Sequence, residues 1–515
     1  MKTCNYCQLL NDIKNIIIFY NLNKIIMVNK MENKSIWELT TKINKREKLT
    51  KDIECDILIV GAGMAGTLIG YFLSKQYKNV VLIDKDTIGN GVTKNTTAKI
   101  TAQHGLIYNK LLRTMGYNKA RLFYEANNEA LNNFKKIIND NHIDCDLKEE
   151  NAYVYTLRDT IKLEKEYKAY KKLNIKGNLT DKVNLPFDVK QALVMKEQAS
   201  FHPLKFIKFI SQNLTIYENT KMVKIDNGIV TTENGSKIKA KKIVIATHFP
   251  IIDNIGYYFI KQHQSKSYLI ALKNAKSVNG MYIDENNKNG YTLRDYKDYV
   301  LFGGYAHKTG KKSDCYYLDK LEKESKLYFK DSEVVARFSA QDCMSLDHMP
   351  YIGKYSKKSN DIYVATGFNK WGMTGSMLSA MIITDLINNK ENKYTKLLSP
   401  SRLNFISSIP NLSKNSLQTV NGLLLKRVLM KRKDVINLEK NSSIIVKHKK
   451  RYLGIYKDNE GKIYAVDVRC PHLGCILSFN KEERAYECPC HGSKFDYAGN
   501  LIYSPSIYNT KKYKI

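Results

Sequence analysis

The stretch Asp56-Ile57-Leu58-Ile59-Val60-Gly61-Ala62-Gly63-Met64-Ala65-Gly66 decides how most of this chain folds. A short apolar, β-rich run over 56–60 enters a glycine-rich turn. From about Thr67 to Tyr77 the pattern becomes helical. A second apolar run, Val80 to Ile83, ends at Asp84 and completes a β-turn-α-β unit. In such a unit the first glycine permits a tight turn and the second lets the backbone approach a pyrophosphate. The third allows close helix–strand packing, and the helix N-terminus faces the phosphate charge. Asp84 stands where an acid bonds a ribose hydroxyl. The unit predicts a Rossmann-like α/β domain that holds a dinucleotide, and by itself it leaves NAD and FAD open.

Three further segments favour FAD. Gly91-Val92-Thr93-Lys94-Asn95-Thr96-Thr97-Ala98 is a small, hydroxyl-rich loop after the second strand. Ile243-Val244-Ile245-Ala246-Thr247 is a strand ending in a small-residue turn. Val364-Ala365-Thr366-Gly367 repeats that form before a helix reaching about Ile387. Together they resemble the D-amino-acid-oxidase-like superfamily of FAD-dependent amine and amino-acid oxidoreductases over about residues 50–390. Phe201-His202-Pro203-Leu204-Lys205 resembles the start of that family's substrate domain. The resemblance implies a Rossmann-like FAD-binding domain interleaved with a mixed-sheet substrate domain over 31–395. It places FAD against Gly61, Gly63, Met64, Ala65 and Gly66 of the turn, and against Asp84 and Lys85 after the second strand. Thr93, Thr96, Thr97 and Ala98 would wrap the phosphates and adenosine. Val223 and Thr247 would flank the cofactor, and Gly367 and Phe368 would approach the flavin ring.

A second signal lies near the C-terminus. Cys470-Pro471-His472-Leu473-Gly474-Cys475 is followed by Cys488-Pro489-Cys490-His491-Gly492-Ser493. Each loop offers one thiolate and one imidazole. Zinc accepts two of each, and so does a 2Fe–2S centre of the Rieske kind, with both sulfurs on one iron and both nitrogens on the other. Zinc leaves the second cysteine pair and the Gly492-Ser493 step unexplained. Both loops resemble the Rieske family, and 433–515 has its short-strand, all-β character. The resemblance makes Cys470 and Cys488 ligands of one iron and His472 and His491 ligands of the other. It also implies a Cys475–Cys490 disulfide tying the loops and a Ser493 hydroxyl bonded to a cluster sulfur. Tyr503-Ser504-Pro505-Ser506 would be the third covering loop, with Ser504 where the family often has glycine.

The chain has 515 residues and a formal charge of +33. Lys, Asn, Ile and Tyr are abundant together, which reads as a compositional bias spread over the surface. No nucleic-acid partner is expected. A denser basic run, Lys426, Arg427 and Lys431 to Lys433, then Lys447 and Lys449 to Arg451, reads as a solvated face or as steering for an acidic electron-transfer partner. Cys4, Cys7, Cys55, Cys145, Cys315 and Cys343 show no regular disulfide spacing, which fits a cytoplasmic protein. No apolar stretch is long enough to be a transmembrane segment. Residues 1–30 read as a mobile extension or a misassigned start. Residues 396–432 read as a polar linker with one short helix near Leu417 to Leu429.

The expected function is a FAD-dependent dehydrogenase. It would oxidise a small amine or amino acid and pass electrons singly through the 2Fe–2S cluster to an acceptor protein or quinone. Arg294, in Tyr291-Thr292-Leu293-Arg294-Asp295-Tyr296, is the candidate clamp for a substrate carboxylate. Ser339 to Cys343 is a candidate active-site strand, and His104 is a candidate for covalent flavin attachment. Two rivals remain: an NAD(P)H-dependent reductase feeding a separate oxygenase, which needs a second nucleotide fingerprint that the sequence lacks, and a non-catalytic redox sensor.

Overall fold

The apolar run before the glycine turn starts at Ile53, earlier than the sequence pattern indicates, and forms strand β1 (Ile53–Val60). The following helix, α1 (Met64–Leu73), starts directly on the turn with Gly63 as its N-cap. In the computed structural model, residues 33–252, 255–286, 290–311, 316–402, 438–448 and 451–514 are described. The expectations for residues 1–30, Cys4, Cys7 and Cys315 lie outside them. So do those for the helix at 417–429 and for most of the basic run.

β1 pairs in parallel with β2 (Val80–Ile83) on one side and β3 (Lys237–Ile245) on the other. β3 pairs in parallel with the strand Ile362–Thr366. All four residues of β2 are buried, as expected of a parallel sheet covered on both faces. The register sets Val60 beside both Ile83 and Ile245, and Ile245 beside Val364. The glycine turn, Asp84, Thr247 and Gly367 therefore gather at one edge, beyond the carboxyl ends of the strands, where open α/β sheets bind ligands. The helix Gly372–Ile387 packs behind them, buried along most of its length.

A second, nine-stranded sheet is interleaved with the first along the chain. One edge runs in the order β6 (Glu333–Ser345), β4 (Gln262–Lys273), β5 (Tyr299–Lys308), and then Thr292–Tyr296. Its pairings are antiparallel except where Met281–Asp284 meets Lys148–Thr156. A helix over Tyr108–Asp140, kinked at Gly116, supplies the apolar face expected at 120–138. The C-terminal part forms two four-stranded antiparallel sheets: Ser442–His448 begins the first and Leu501–Tyr503 ends the second.

The linker expected from residue 396 does not begin there. Thr395–Leu398 is helical, and Arg402 is buried in a bidentate ion pair with Asp347 at 2.7 and 2.8 Å. Arg402 also donates to the carbonyls of Met349, Pro350 and Leu398. A guanidinium so fully used fixes the chain to the first domain through residue 402.

The C-terminal domain is seated on β4, β5 and β6. Gln264 Nε2 donates to the carbonyls of His491 (3.0 Å) and Ser504 (2.8 Å), and Gln341 Nε2 donates to that of Gly492 (2.7 Å). Gly492, at φ +86°, lies so close that a Cβ there would stand 2.7 Å from Gln264 Cβ. Beside them the Lys266 ammonium, 1% exposed, sits between Glu483 (2.5 Å) and Glu487, and Lys494 approaches Glu483 from the other side. Burial alone would push Lys266 down, but the two carboxylates outweigh it and raise it. Gly310 N–H donates to Glu487 and Leu318 N–H to Glu482, at 3.1 and 2.6 Å. Removing one member of such a buried group leaves an uncompensated charge. Lys266→Met should therefore destabilise the protein by about 3–5 kcal/mol, read by chemical denaturation. Lys224→Met, which removes the exposed pair with Asp226, should cost less than about 1 kcal/mol.

Candidate active site and metal centre

The glycine turn is dictated by two close approaches. Gly61 has φ +109°, and a Cβ there would lie 2.5 Å from Ala246 O; at Gly66 it would lie 1.8 Å from Gly61 O. Asp84, with its carboxyl raised by burial, accepts from Ala62 N (2.7 Å) and Asp86 N (2.9 Å). These bonds orient the acid at the strand end and close the turn against it. Thr93 Oγ1 accepts from Met64 N at 3.0 Å, which brings the hydroxyl-rich loop onto the N-terminus of α1.

A cavity of about 470 Å³ opens at this edge. Gly61, Gly63, Met64, Ala65, Asp84, Lys85, Thr93, Thr96, Thr247 and Phe368 line it. Gly66 supports the turn from behind, and Gly367, at φ +71°, turns the chain just before Phe368. Ala98, also left-handed at φ 52°, is buried beside the loop. Val223 is not on the wall; its neighbours Thr220, Lys221 and Met222 are. Lys85 donates its ammonium to Ile502 O, so part of its role is to hold the C-terminal domain. The cavity is long, carries hydroxyls and backbone amides at the helix N-terminus, and has an acid at the strand end. This donor set fits a dinucleotide of the FAD type.

A smaller cavity of about 130 Å³ adjoins it across Val92, Asn95, Thr96, Asp342 and Lys370, which line both. Thr97, Tyr268, Asp284, Tyr291 and Trp371 complete much of its wall. Trp371 stacks on His104 with ring centroids 4.6 Å apart and planes 7° off parallel. His104 Nε2 lies 2.9 Å from Thr101 O, and burial pushes its ring down to about 3. Lys99, pushed down to about 7 by burial, donates to Tyr282 O (2.9 Å) and Thr292 Oγ1 (2.7 Å).

Arg294 corrects the sequence reading. Its guanidinium, 1% exposed, donates to the carbonyls of Thr97, Asp295 and Phe201, and it lies over the Trp37 ring at 5.3 Å. It lines neither cavity. With its donors committed to the main chain it is a brace between sheet and loop, not a clamp for substrate. His202 likewise caps the helix Pro203–Ile210 through Nδ1, which accepts from Lys205 N. The candidate strand does reach the cavities, through Ser339, Asp342 and Cys343. Asn369 and Lys370, which also line the larger cavity, carry no motif in the sequence. Their one sequence trace is the Asn369-Lys370-Trp371 step between Phe368 and Gly372.

The two cysteine-histidine loops face each other. The Cys470 and Cys488 thiols are both buried and free, and the neighbouring Cys470 holds Cys488 down to about 6 against the opposing effect of burial. The His472 and His491 rings lie side by side, centroids 5.0 Å apart at 87°. His491 Nδ1 is buried with no hydrogen-bond partner, an orphan that a metal would satisfy. Cys475 and Cys490 are joined in a disulfide, whose sulfurs lie within 4.8 Å of Cys488 Sγ. The Ser493 side chain is fully buried, and its Oγ accepts from Ser506 N at 3.0 Å. Paired thiols opposite paired imidazoles, with the sulfurs interlinked, fit a 2Fe–2S cluster better than a tetrahedral zinc ion.

Residues 56–386 match the family model described as FAD dependent oxidoreductase, and residues 428–514 match the Rieske [2Fe-2S] domain. The chain is a FAD-dependent oxidoreductase carrying a Rieske domain. It is 34% identical over 491 residues to a putative Rieske 2Fe-2S iron-sulfur protein, YhfW, of Bacillus subtilis, covering 92% of this chain and 96% of the relative. The Rieske part alone is 38% identical over 55 residues to the cytochrome b6-f iron-sulfur subunit of Pisum sativum, 11% of this chain and 24% of that protein. Among solved structures, glycine oxidase from Geobacillus kaustophilus aligns with TM-score 0.57 at 16% identity, over 68% of this chain and 99% of that one. L-proline dehydrogenase from P. horikoshii aligns with TM-score 0.56 at 18% identity, over 69% and 98%. These two likenesses establish the fold of the oxidoreductase part. FAD and a 2Fe–2S cluster are the cofactors of the two families. Gly66→Ala, which forces its Cβ into Gly61 O, should yield protein lacking flavin absorption yet retaining iron and acid-labile sulfide, measured on the purified chain.

Proposed function

We propose that this oxidoreductase removes two electrons from a small amine or amino acid at FAD and sends them one at a time through the Rieske cluster to an external acceptor. The observation that carries this reading is a shared wall. Tyr503, Ser504 and Ser506 of the third Rieske loop line the same cavity as the glycine turn and the Asp342–Cys343 strand. His491 and Gly492 of the cluster loop are hydrogen-bonded to Gln264 and Gln341, on the strands that form this wall. A cluster docked at the flavin cavity is positioned to relieve the flavin of single electrons. Gly61, Gly63, Met64, Ala65 and Thr93 would hold the pyrophosphate. Asp84 would bond the ribose, with Gly66 supporting the turn. Cys470, Cys488, His472 and His491 would hold the cluster.

FAD supplies hydride acceptance when bound. The chain's own part is to exclude water with Trp371, Tyr268 and Tyr291 and to align the substrate. The amine or amino-acid class is supported by the fold shared with glycine oxidase and L-proline dehydrogenase. The acceptor is a one-electron carrier protein or a quinone, and the protein works in the cytoplasm. No helix among the described residues is long and apolar enough to cross a membrane, and Cys55, Cys145 and Cys343 are free, buried thiols.

An anaerobic stopped-flow screen of amines and amino acids tests the electron order. Flavin bleaching should precede cluster reduction, and NADH should bleach neither rapidly. In Cys488→Ser, made without cluster, substrate should still reduce the flavin and the electrons should stay there. Rapid flavin bleaching by NADH would revive the reductase reading instead.

A further inference from the structure

Asp342 and Lys370 are the two charged side chains that line both cavities. Neither carboxylate nor ammonium has a hydrogen bond or ion pair with another described residue. Other charged groups on these walls are committed: Lys99 to Tyr282 and Thr292, Asp284 to Asn286, and Lys494 to Glu483. Asp342 and Lys370 lie within electrostatic reach of one another, since each holds the other partly towards its charged form. Yet no ion pair joins them. Two half-buried charges held apart and unbonded on one wall leave their polar atoms open to whatever fills the cavities.

Their separation is enforced by the backbone. Asn369 and Lys370 are both left-handed, at φ 53° and 74°, although neither is glycine. Non-glycine residues held in this region are strained and persist only when their surroundings over-determine them. Here the Asn369 side chain donates to Gly367 O (2.6 Å) and Ser345 Oγ (2.9 Å) and accepts from Ser345 N (2.9 Å). Asn369 N–H donates to Cys343 O at 3.0 Å. The strained turn is thus pinned to β6 beside Asp342, and Lys370 is carried to the cavity across from it.

We propose that Asp342 and Lys370 are the two poles of a substrate site that selects a zwitterion, Asp342 taking the cationic nitrogen and Lys370 the carboxylate of a small amino acid. This rests on the amine or amino-acid reading above and narrows it. The carboxylate clamp assigned to Arg294 passes to Lys370. The nitrogen, and with it the carbon that loses hydride, is fixed by Asp342 on the seam between the flavin cavity and the smaller one. A plain amine satisfies one pole and a plain carboxylic acid the other. Only a molecule bearing both charges completes the pair.

The test titrates the FAD-loaded enzyme anaerobically with three probes of one skeleton, following the flavin absorption change. The probes are proline, pyrrolidine and cyclopentanecarboxylate; glycine, methylamine and acetate form a smaller second set. Lys370→Met should weaken proline and cyclopentanecarboxylate by about 10- to 100-fold and leave pyrrolidine unchanged. Asp342→Asn should weaken proline and pyrrolidine by a similar factor and leave the acid unchanged. Lys370→Arg and Asp342→Glu, which keep the charges, should restore much of the binding and guard against misfolding. Equal weakening of all probes, or none, would overturn the assignment. So would a Lys370→Met variant whose flavin potential shifts while probe selectivity stays intact, since Lys370 would then serve the flavin. No binding of any probe to the parent enzyme would also overturn it. Failure of the underlying reading looks different: the parent enzyme would bind the probes by charge, yet no amine or amino acid would reduce its flavin.

Discussion

The Lys266 ammonium, buried between Glu483 and Glu487, is the interaction on which the relation between the two redox sites depends. It comes from the nine-stranded sheet, and its carboxylates come from the Rieske domain. Its worth lies in geometry more than in net stability. A buried charge group roughly balances its desolvation cost, but it tolerates very few alternative placements of its partners. Lys494 and Ser339 also reach Glu483, and Gly310 and Asn480 reach Glu487. With so many groups converging, a small shift of the Rieske domain would strand a charge. The ion group therefore acts as a register pin, and the softer contacts at Gln264 and Gln341 can be made to carbonyls of the cluster loop itself.

That pin explains an otherwise odd allocation of residues. Gln264 lines the larger cavity, yet it and Gln341 spend their amides on His491, Gly492 and Ser504. Gly492 has no room for a side chain against Gln264. The Phe259 ring meets both cluster histidines edge-on, at 6.0 Å from His472 and 5.7 Å from His491. The imidazole end of the centre is thus covered by the oxidoreductase domain, with the third Rieske loop forming cavity wall. One side of the cluster site is therefore turned toward the oxidoreductase domain.

Much of this was legible in the sequence where chemistry is local. The glycine turn, Asp84 and the two cysteine-histidine loops are each read from a few consecutive residues, because tight turns and short metal loops leave little freedom in residue type. Arg294 shows where that legibility stops. A strand sequence gives alternation but not which face meets a cavity, and an arginine suited to a carboxylate is equally suited to three backbone carbonyls. Asp342 lay within the candidate strand, but its meeting with Lys370 was hidden for a related reason. They lie on separate elements, and their juxtaposition arises from the Asn369 turn bonding to β6, a pairing that no spacing rule encodes. The docking of the Rieske domain was equally silent, since Lys266, Glu483 and Glu487 look like ordinary surface charges until the domains meet.

The separate constraints converge on one spatial requirement. A flavin that gives up electrons singly needs its outlet close by, and a substrate that gives up hydride needs its donor carbon against the same flavin from which water is excluded. Both demands fall on β6. Gln341 and Asp342 are consecutive residues of that strand; Gln341 bonds to the cluster loop while Asp342 lines both cavities. Period-two alternation turns neighbouring side chains to opposite faces, so in the proposed electron path a single strand serves the cluster loop with one residue and the substrate with the next. Shifting its register by one residue would exchange those faces and lose both functions at once. The long antiparallel pairing of β6 with β4, from Glu333 to Ser345, resists that slip.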